Sequence, residues 1–108
     1  MAGASTERVT VLCRIAADHP AFAGHFPGRP LLPGVLLLAE VLEAARGVPA
    51  LSGLLEAPLT LKAAKFLAPV QPGSTLAITL QAETTGWRFE VMCGEVVVAK
   101  GQFAADAP

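Results

Sequence analysis

The chain has 108 residues, of which 53% are hydrophobic and 16% charged, and its formal net charge is −1. This composition predicts a single globular domain over residues 1–108 and excludes a disordered chain or a strongly basic nucleic-acid binder. We find no apolar run long enough to cross a membrane and no secretory leader, which predicts a cytoplasmic protein. Cys13 and Cys93 lack the spacing of a metal or redox motif, so we interpret both as reduced, packed thiols.

The first element predicted is a strand, because residues 8–15 alternate between apolar and polar side chains. A loop follows, and the prolines in it each fix φ and remove a backbone donor, so that neither a helix nor a strand passes through it. These prolines are Pro27, Pro30 and Pro33. His25 lies in this stiff loop, just ahead of the next element, and this position makes it the first candidate for chemistry.

Residues 35–46 are free of proline and end in Arg46-Gly47, a basic last turn followed by a glycine, which predicts a helix. The helix is apolar nearly all round, and only Glu40 and Glu43 interrupt it. A helix with this pattern is buried on most sides, so we expect the rest of the chain to wrap it. The large apolar fraction of so short a chain also predicts oligomerisation.

Four further strands are predicted after a connection over residues 47–57. They cover residues 59–66, 74–84, 87–93 and 95–103. In the first of them we expect one side of the strand to be shared by Leu59, Leu61, Ala63 and Lys65. Tight turns at Pro69–Gly73, Thr85-Gly86 and Gly94 favour antiparallel neighbours. The sequence therefore predicts an α+β fold with one antiparallel sheet around one helix.

The run from His25 to Leu36, His-Phe-Pro-Gly-Arg-Pro-Leu-Leu-Pro-Gly-Val-Leu, resembles the (3R)-hydroxyacyl-[acyl carrier protein] dehydratases, and most of all their short relatives in aryl-polyene pathways. The resemblance continues through Lys62–Gly73 and through the hairpin Trp87–Ala104. It implies a hot-dog fold, a curved antiparallel sheet of about five strands wrapped around one central helix. It also implies a homodimer with active sites at the subunit interface, with a dimer of dimers or a heterodimer left open.

The resemblance assigns His25 as the general base that removes a proton from C2 of a 3-hydroxyacyl thioester. Residue pattern alone favours a hydrogen-bonded core histidine at such a position, and His19, which falls outside the motif, is interpreted as an ordinary loop residue. Gly34 would let the thioester carbonyl approach free N–H groups at the helix start, or it serves the turn only. The implied substrate-binding residues are Gly24, Phe26, Pro27, Pro33, Gly34 and Val35.

The chain departs from the family pattern at the catalytic acid, which the resemblance implies fourteen positions after the histidine, where this sequence has Ala39. Glu40 is our candidate acid, although one step along a helix is a rotation of about 100°. Glu43 lies one turn beyond Ala39 on roughly the same face. Three explanations of the missing acid stay open. Glu40 reaches the site by a local shift of the helix, His25 acts alone and slowly, or the chain is a subunit that has lost dehydration activity.

The function predicted first is a dehydratase acting on a 3-hydroxyacyl thioester of acyl carrier protein or CoA. The alternatives are an acyl-binding or heterodimer partner subunit and a hot-dog thioesterase. Because the carrier protein of this family is acidic, basic side chains are candidates for docking it: Arg29, Lys62, Lys65 and Arg88. No metal, other cofactor, nucleic acid or membrane partner is predicted.

Overall fold

The computed structural model of this chain describes residues 8–18, 34–52 and 59–105. Its elements are β1 (Arg8–Arg14), α1 (Gly34–Arg46), α2 (Pro49–Ser52), β2 (Leu59–Phe66), β3 (Thr75–Glu83), β4 (Gly86–Cys93) and β5 (Val96–Ala105). The predicted strands and the predicted long helix are confirmed. The short helix α2, by contrast, lies in a segment that the sequence marks only as a connection.

All five strands belong to one sheet, in the order β1-β3-β4-β5-β2, and every neighbouring pair is antiparallel. β3, β4 and β5 are joined by short turns, at Thr84-Thr85 and at Gly94-Glu95. Gly94 has a φ of 61°, a conformation that favours glycine. β1 and β2, which flank the helical segment in sequence, take the two opposite edges of the sheet.

The sheet has an inner face, which α1 covers, and an outer face on the other side. Across β3 and β4 the inner face pairs Ile78 with Val91 and Leu80 with Phe89. These strands alternate as predicted, and α1 adds Leu37, Val41 and Ala45 to the same buried cluster. The core therefore lies between α1 and the middle of the sheet.

Among the described side chains of α1, only Ala39, Glu43 and Arg46 are exposed, and they form one strip along the helix. Leu37, Val41 and Ala45 are buried, whereas Ala39 and Glu43 are exposed. Leu36, Leu38, Leu42 and Ala44 are partly buried against the same core, so most sides of α1 are fully or partly buried, as the sequence predicts. In the described part of the chain, no helix has the length and apolarity that a membrane span requires.

β2 contains an irregularity that the sequence pattern did not predict. Its register against β5 shifts between Leu61 and Ala63, which marks a β-bulge. Leu61 pairs with Phe103 on the inner face, whereas Ala63 and Lys65 pair with Gln102 and Lys100 on the outer face. The prediction that Leu59, Leu61, Ala63 and Lys65 share one side is therefore wrong, because a bulge reverses the alternation beyond it.

Candidate active site

Several predicted site residues lie outside the described part of the chain. These are Gly24, His25, Phe26, Pro27, Arg29 and Pro33. Val35 is described as part of α1, without its side chain. The roles assigned to these residues stay predictions, and the site is built below from the residues around the start and the middle of α1.

The start of α1 lies against the end of β2. A Cβ atom placed on Gly34 would lie 3.1 Å from Cζ of Phe66 and within 3.3 Å of two more atoms of that ring. This spacing is tighter than ordinary van der Waals contact, so the ring would have to shift by a few tenths of an ångström to admit a side chain at position 34. The first N–H groups of a helix lack intrahelical partners and carry the positive end of its dipole, which makes this terminus suited to an oxyanion.

The ring of Phe66 is 50% exposed, although it pairs with Ala99 on the inner face of the sheet. Phe66 therefore forms an apolar wall that is open on one side and stands beside the helix start. An acyl thioester brought to these N–H groups would lie next to this ring.

Glu40 points towards β1. Its Oε1 accepts a hydrogen bond of 3.1 Å from Sγ of Cys13, and both side chains are partly buried. Cys13 lies on the inner face of the sheet, where it pairs with Leu76. Burial first, and then the hydrogen bond and the negative charge of Glu40, raise the pKa of Cys13 from 9.0 to about 11.

The three positions on α1 that concern the catalytic acid therefore have different surroundings. Ala39 is exposed, and Glu40 is half-buried beside β1. Glu43 is exposed like Ala39, and its Oε2 lies 3.4 Å from Nη1 of Arg46. The described part of α1 thus has Ala39 where the resemblance implies an acid. The carboxylate of Glu40 is turned to β1, and that of Glu43 lies one helical turn beyond Ala39.

Two of the predicted docking residues lie on the side of the sheet opposite α1. Lys65 and Arg88 are on the outer face, where Nε of Arg88 lies 2.9 Å from Oε2 of Glu83. Lys62 is exposed at the bulge of β2. The sheet separates Lys65 and Arg88 from Gly34, so these two predicted docking residues lie away from the residues around the start of α1.

Sequence reasoning missed two residues that shape the site. Cys13 was interpreted only as a packed thiol, and the alternation of β1 gave its face but not its partner. Phe66 ends the predicted strand, and no local pattern indicated that its ring meets Gly34. Both contacts join residues far apart in sequence, which periodicity cannot predict.

The sequence model of the ApeI-like family, described as ApeI dehydratase, matches residues 2–102 of this chain. The chain is 35% identical over 102 residues to the 3-hydroxyacyl-[acyl-carrier-protein] dehydratase FabZ of Gluconacetobacter diazotrophicus, covering 84% of this chain and 63% of that protein. It is 38% identical over 115 residues to FabZ of Chlamydia trachomatis serovar D, covering 93% of this chain and 72% of that protein. The chain thus spans less than two thirds of the first of these relatives.

Solved structures share the fold. The dehydratase heterocomplex ApeI:P from Xenorhabdus doucetiae matches with a TM-score of 0.77 at 22% identity, over 99% of this chain and 93% of that chain. An N-terminal dehydratase from the difficidin assembly line matches with a TM-score of 0.73 at 22% identity, over 97% of this chain and 41% of that chain. At these identities the likeness establishes the fold alone, and it confirms the predicted hot-dog arrangement.

The Cys13–Glu40 contact yields a measurable titration. In a Cys93→Ala background, we expect Glu40→Gln to lower the pKa of Cys13 from about 11 towards 9.0, because the neighbouring negative charge is lost. The pKa stays above 9.0, since burial is the largest cause of the shift. Thiolate absorbance over a pH titration measures it, with Glu43→Gln as the matched control. An unchanged thiol pKa in Glu40→Gln would contradict the contact.

Proposed function

This chain belongs to the ApeI-like dehydratase family, and we propose that it eliminates water from a 3-hydroxyacyl thioester in fatty-acid or polyene-type lipid synthesis. The family match over residues 2–102 is the observation that carries this proposal. The FabZ relatives support it, since their name states a 3-hydroxyacyl-[acyl-carrier-protein] substrate. The thioester is carried by acyl carrier protein or by CoA.

In the proposed reaction the neutral imidazole of His25 takes the proton from C2 of the substrate. The hydroxyl group on C3 leaves as water after it receives a proton from an acid, and a C2–C3 double bond forms. Free N–H groups at the start of α1, beside Gly34, hold the thioester carbonyl oxygen and stabilise the negative charge that develops there. The acyl chain would be lined by Gly24, Phe26, Pro27, Pro33 and Val35.

Glu40 is our proposed acid. Its carboxylate would have to leave the Cys13 thiol to reach a substrate near the start of α1. A half-buried carboxylate loses one hydrogen bond in this movement, a net cost of about 1.5–3 kcal/mol for a charged group.

A second candidate function follows from the same geometry. Ala39 is exposed and Glu40 is hydrogen-bonded to Cys13, so this chain has no carboxylate at the implied acid position. The chain would then be a catalytically weakened subunit that binds acyl thioesters, or it would supply His25 to a site whose acid comes from a different subunit. In that case a carboxylate introduced at position 39 restores the missing proton donor.

We further propose that the active unit is a dimer formed through β2. β2 is an edge strand, and its inner-face side chains Leu61 and Phe66 are 41% and 50% exposed. An edge strand with uncovered apolar side chains is a template for pairing with another chain. Pairing there would cover Phe66 and bring a second chain to the start of α1.

We also propose that residues 1–108 act as one hot-dog domain, because the described strands form one sheet over one core. The proposed location is the cytoplasm. Cys13 and Cys93 are both free thiols, the state that a reducing compartment maintains.

Removing the proposed base tests the activity. We expect His25→Ala to lower kcat for dehydration of a 3-hydroxyacyl thioester by about 10²–10⁴-fold, because general-base catalysis is lost. Formation of the enoyl thioester is followed by its ultraviolet absorbance, and His19→Ala is the control. If wild type and His25→Ala are equally inert, the enzyme proposal fails.

Two substitutions on α1 separate the two accounts of the acid. If Glu40 is the acid, Glu40→Gln lowers kcat by about 10²-fold or more, while Ala39→Glu has little effect. If the acid is missing, Ala39→Glu raises kcat and Glu40→Gln leaves it unchanged. Circular dichroism of both variants checks that α1 is intact. A kcat that responds to neither substitution would rule out both accounts.

The proposed dimer is tested at β2. Leu61→Lys places a charge among the uncovered apolar side chains, so we expect it to shift the protein from dimer to the 11.1 kDa monomer. Light scattering after gel filtration measures the mass. Leu12→Lys, which changes a 73% exposed residue on the outer face of β1, is the matched control. A wild type that is monomeric at micromolar concentration would refute the assembly.

A further inference from the structure

Among the described side chains of α1, Glu40 is the one acidic residue that is half-buried. The other half-buried side chains of the helix are apolar: Leu36, Leu38, Leu42 and Ala44. A carboxylate among such side chains loses part of its water and needs a hydrogen-bond donor in its place. Sγ of Cys13 supplies this donor, at 3.1 Å from Oε1 of Glu40.

Cys13 is the inner-face residue of β1 that can act as this donor. The other residues of this face, on β1 and just after it, are Val9, Val11 and Ile15, whose side chains have no hydrogen-bonding group. Burial first, and then the hydrogen bond and the charge of Glu40, raise the pKa of the Cys13 thiol to about 11. The thiol therefore keeps its proton, and with it the hydrogen bond, at neutral pH.

Glu40 has no competing partner in the described ranges of the chain. Arg46, the basic residue of α1, lies 3.4 Å from the carboxylate of Glu43 instead. Arg14 follows Cys13 in β1 and points to the outer face of the sheet, because neighbouring residues of a strand alternate between the two faces. The orientation of the Glu40 carboxylate thus depends on one hydrogen bond from a thiol.

This hydrogen bond turns Glu40 away from the start of α1. The ring of Phe66, at the end of β2, packs beside Gly34, where α1 begins. β1 and β2 are the opposite edges of the sheet. A carboxylate held at β1 therefore points to the edge opposite the N–H groups on which the proposed reaction depends.

A thiol suits a contact that has to break during turnover. S–H is a weak hydrogen-bond donor, so the Glu40 carboxylate leaves it more easily than it would leave a hydroxyl or an amide. The helix does not have to move, because Leu37, Val41 and Ala45 hold it in the core. Only the side chain of Glu40 has to turn.

We propose that Cys13 is a positioning residue, which holds Glu40 in a resting orientation at β1 and lowers the rate of dehydration because this hydrogen bond must break first. The effect on the rate rests on the proposed function, with Glu40 as the acid. A thiol that served only as a packed apolar group would have no such effect. Cys93 offers the comparison, since it is a free thiol that is half-buried against the same core and has no carboxylate partner in the described part of the chain.

Turnover of a 3-hydroxyacyl thioester tests the effect on the rate. We expect Cys13→Ala to raise kcat about two- to tenfold, the factor that one hydrogen bond of ordinary net strength is worth, and to leave KM within about twofold. Cys13→Ser keeps a donor and should stay within about twofold of the wild-type kcat. Cys93→Ala is the matched control and should leave kcat unchanged. In a Glu40→Gln background, Cys13→Ala should have no effect, because the two residues act through one contact.

The NMR side-chain couplings of Glu40 test its orientation apart from activity. We expect a single rotamer in wild type and rotamer averaging in Cys13→Ala. The proposal is overturned if the couplings are already averaged in wild type, or if Cys13→Ala leaves them unchanged.

The rate gives a second way to refute the proposal. It is overturned if Cys13→Ala does not raise the kcat of an active wild type, or if Cys93→Ala raises kcat as much. If wild type and all variants are inert, the proposed function fails and the effect on the rate fails with it, whereas a single Glu40 rotamer that is lost in Cys13→Ala still confirms that Cys13 holds Glu40.

Discussion

The packing of α1 on the inner face of the sheet is the constraint on which the candidate site depends. Leu37, Val41 and Ala45 follow one another at every fourth position and are all buried in the core. Turning α1 by one residue, about 100°, would bring Glu40 to the direction of Ala39 but would pull these three side chains out of the core. Exposing one leucine or valine costs about 1.5–3 kcal/mol, so the helix keeps its rotation and any movement of Glu40 belongs to its own side chain.

This fixed rotation explains why Cys13 and Glu40 form a pair. A carboxylate held at the half-buried flank of α1 needs a hydrogen-bond donor, and the thiol on the inner face of β1 supplies one at 3.1 Å. The thiol is a weak donor, and the same contact raises its own pKa to about 11. The two groups are thus coupled: the protonation of Cys13 and the orientation of Glu40 depend on each other.

The sequence predicted the parts of the structure that depend on near neighbours. Alternation gave the inner faces of β3 and β4, because short turns join these strands and each face repeats every second residue. It failed in β2, where the bulge between Leu61 and Ala63 leaves no mark in the order of side chains. The contact of Cys13 with Glu40 joins residues 27 positions apart, and only the folded chain brings them together. The role of His25 stays a prediction.

The bulge in β2 links the two faces of the sheet. A one-residue shift in register exchanges the faces of all residues beyond it, so without the bulge Lys65 would point to the inner face and Phe66 to the outer face. Gly34 would then lose the ring that packs on the start of α1, and Lys100 would lose the like charge opposite it. One irregularity in an edge strand therefore sets both the apolar wall beside the helix start and the position of Lys65 on the outer face.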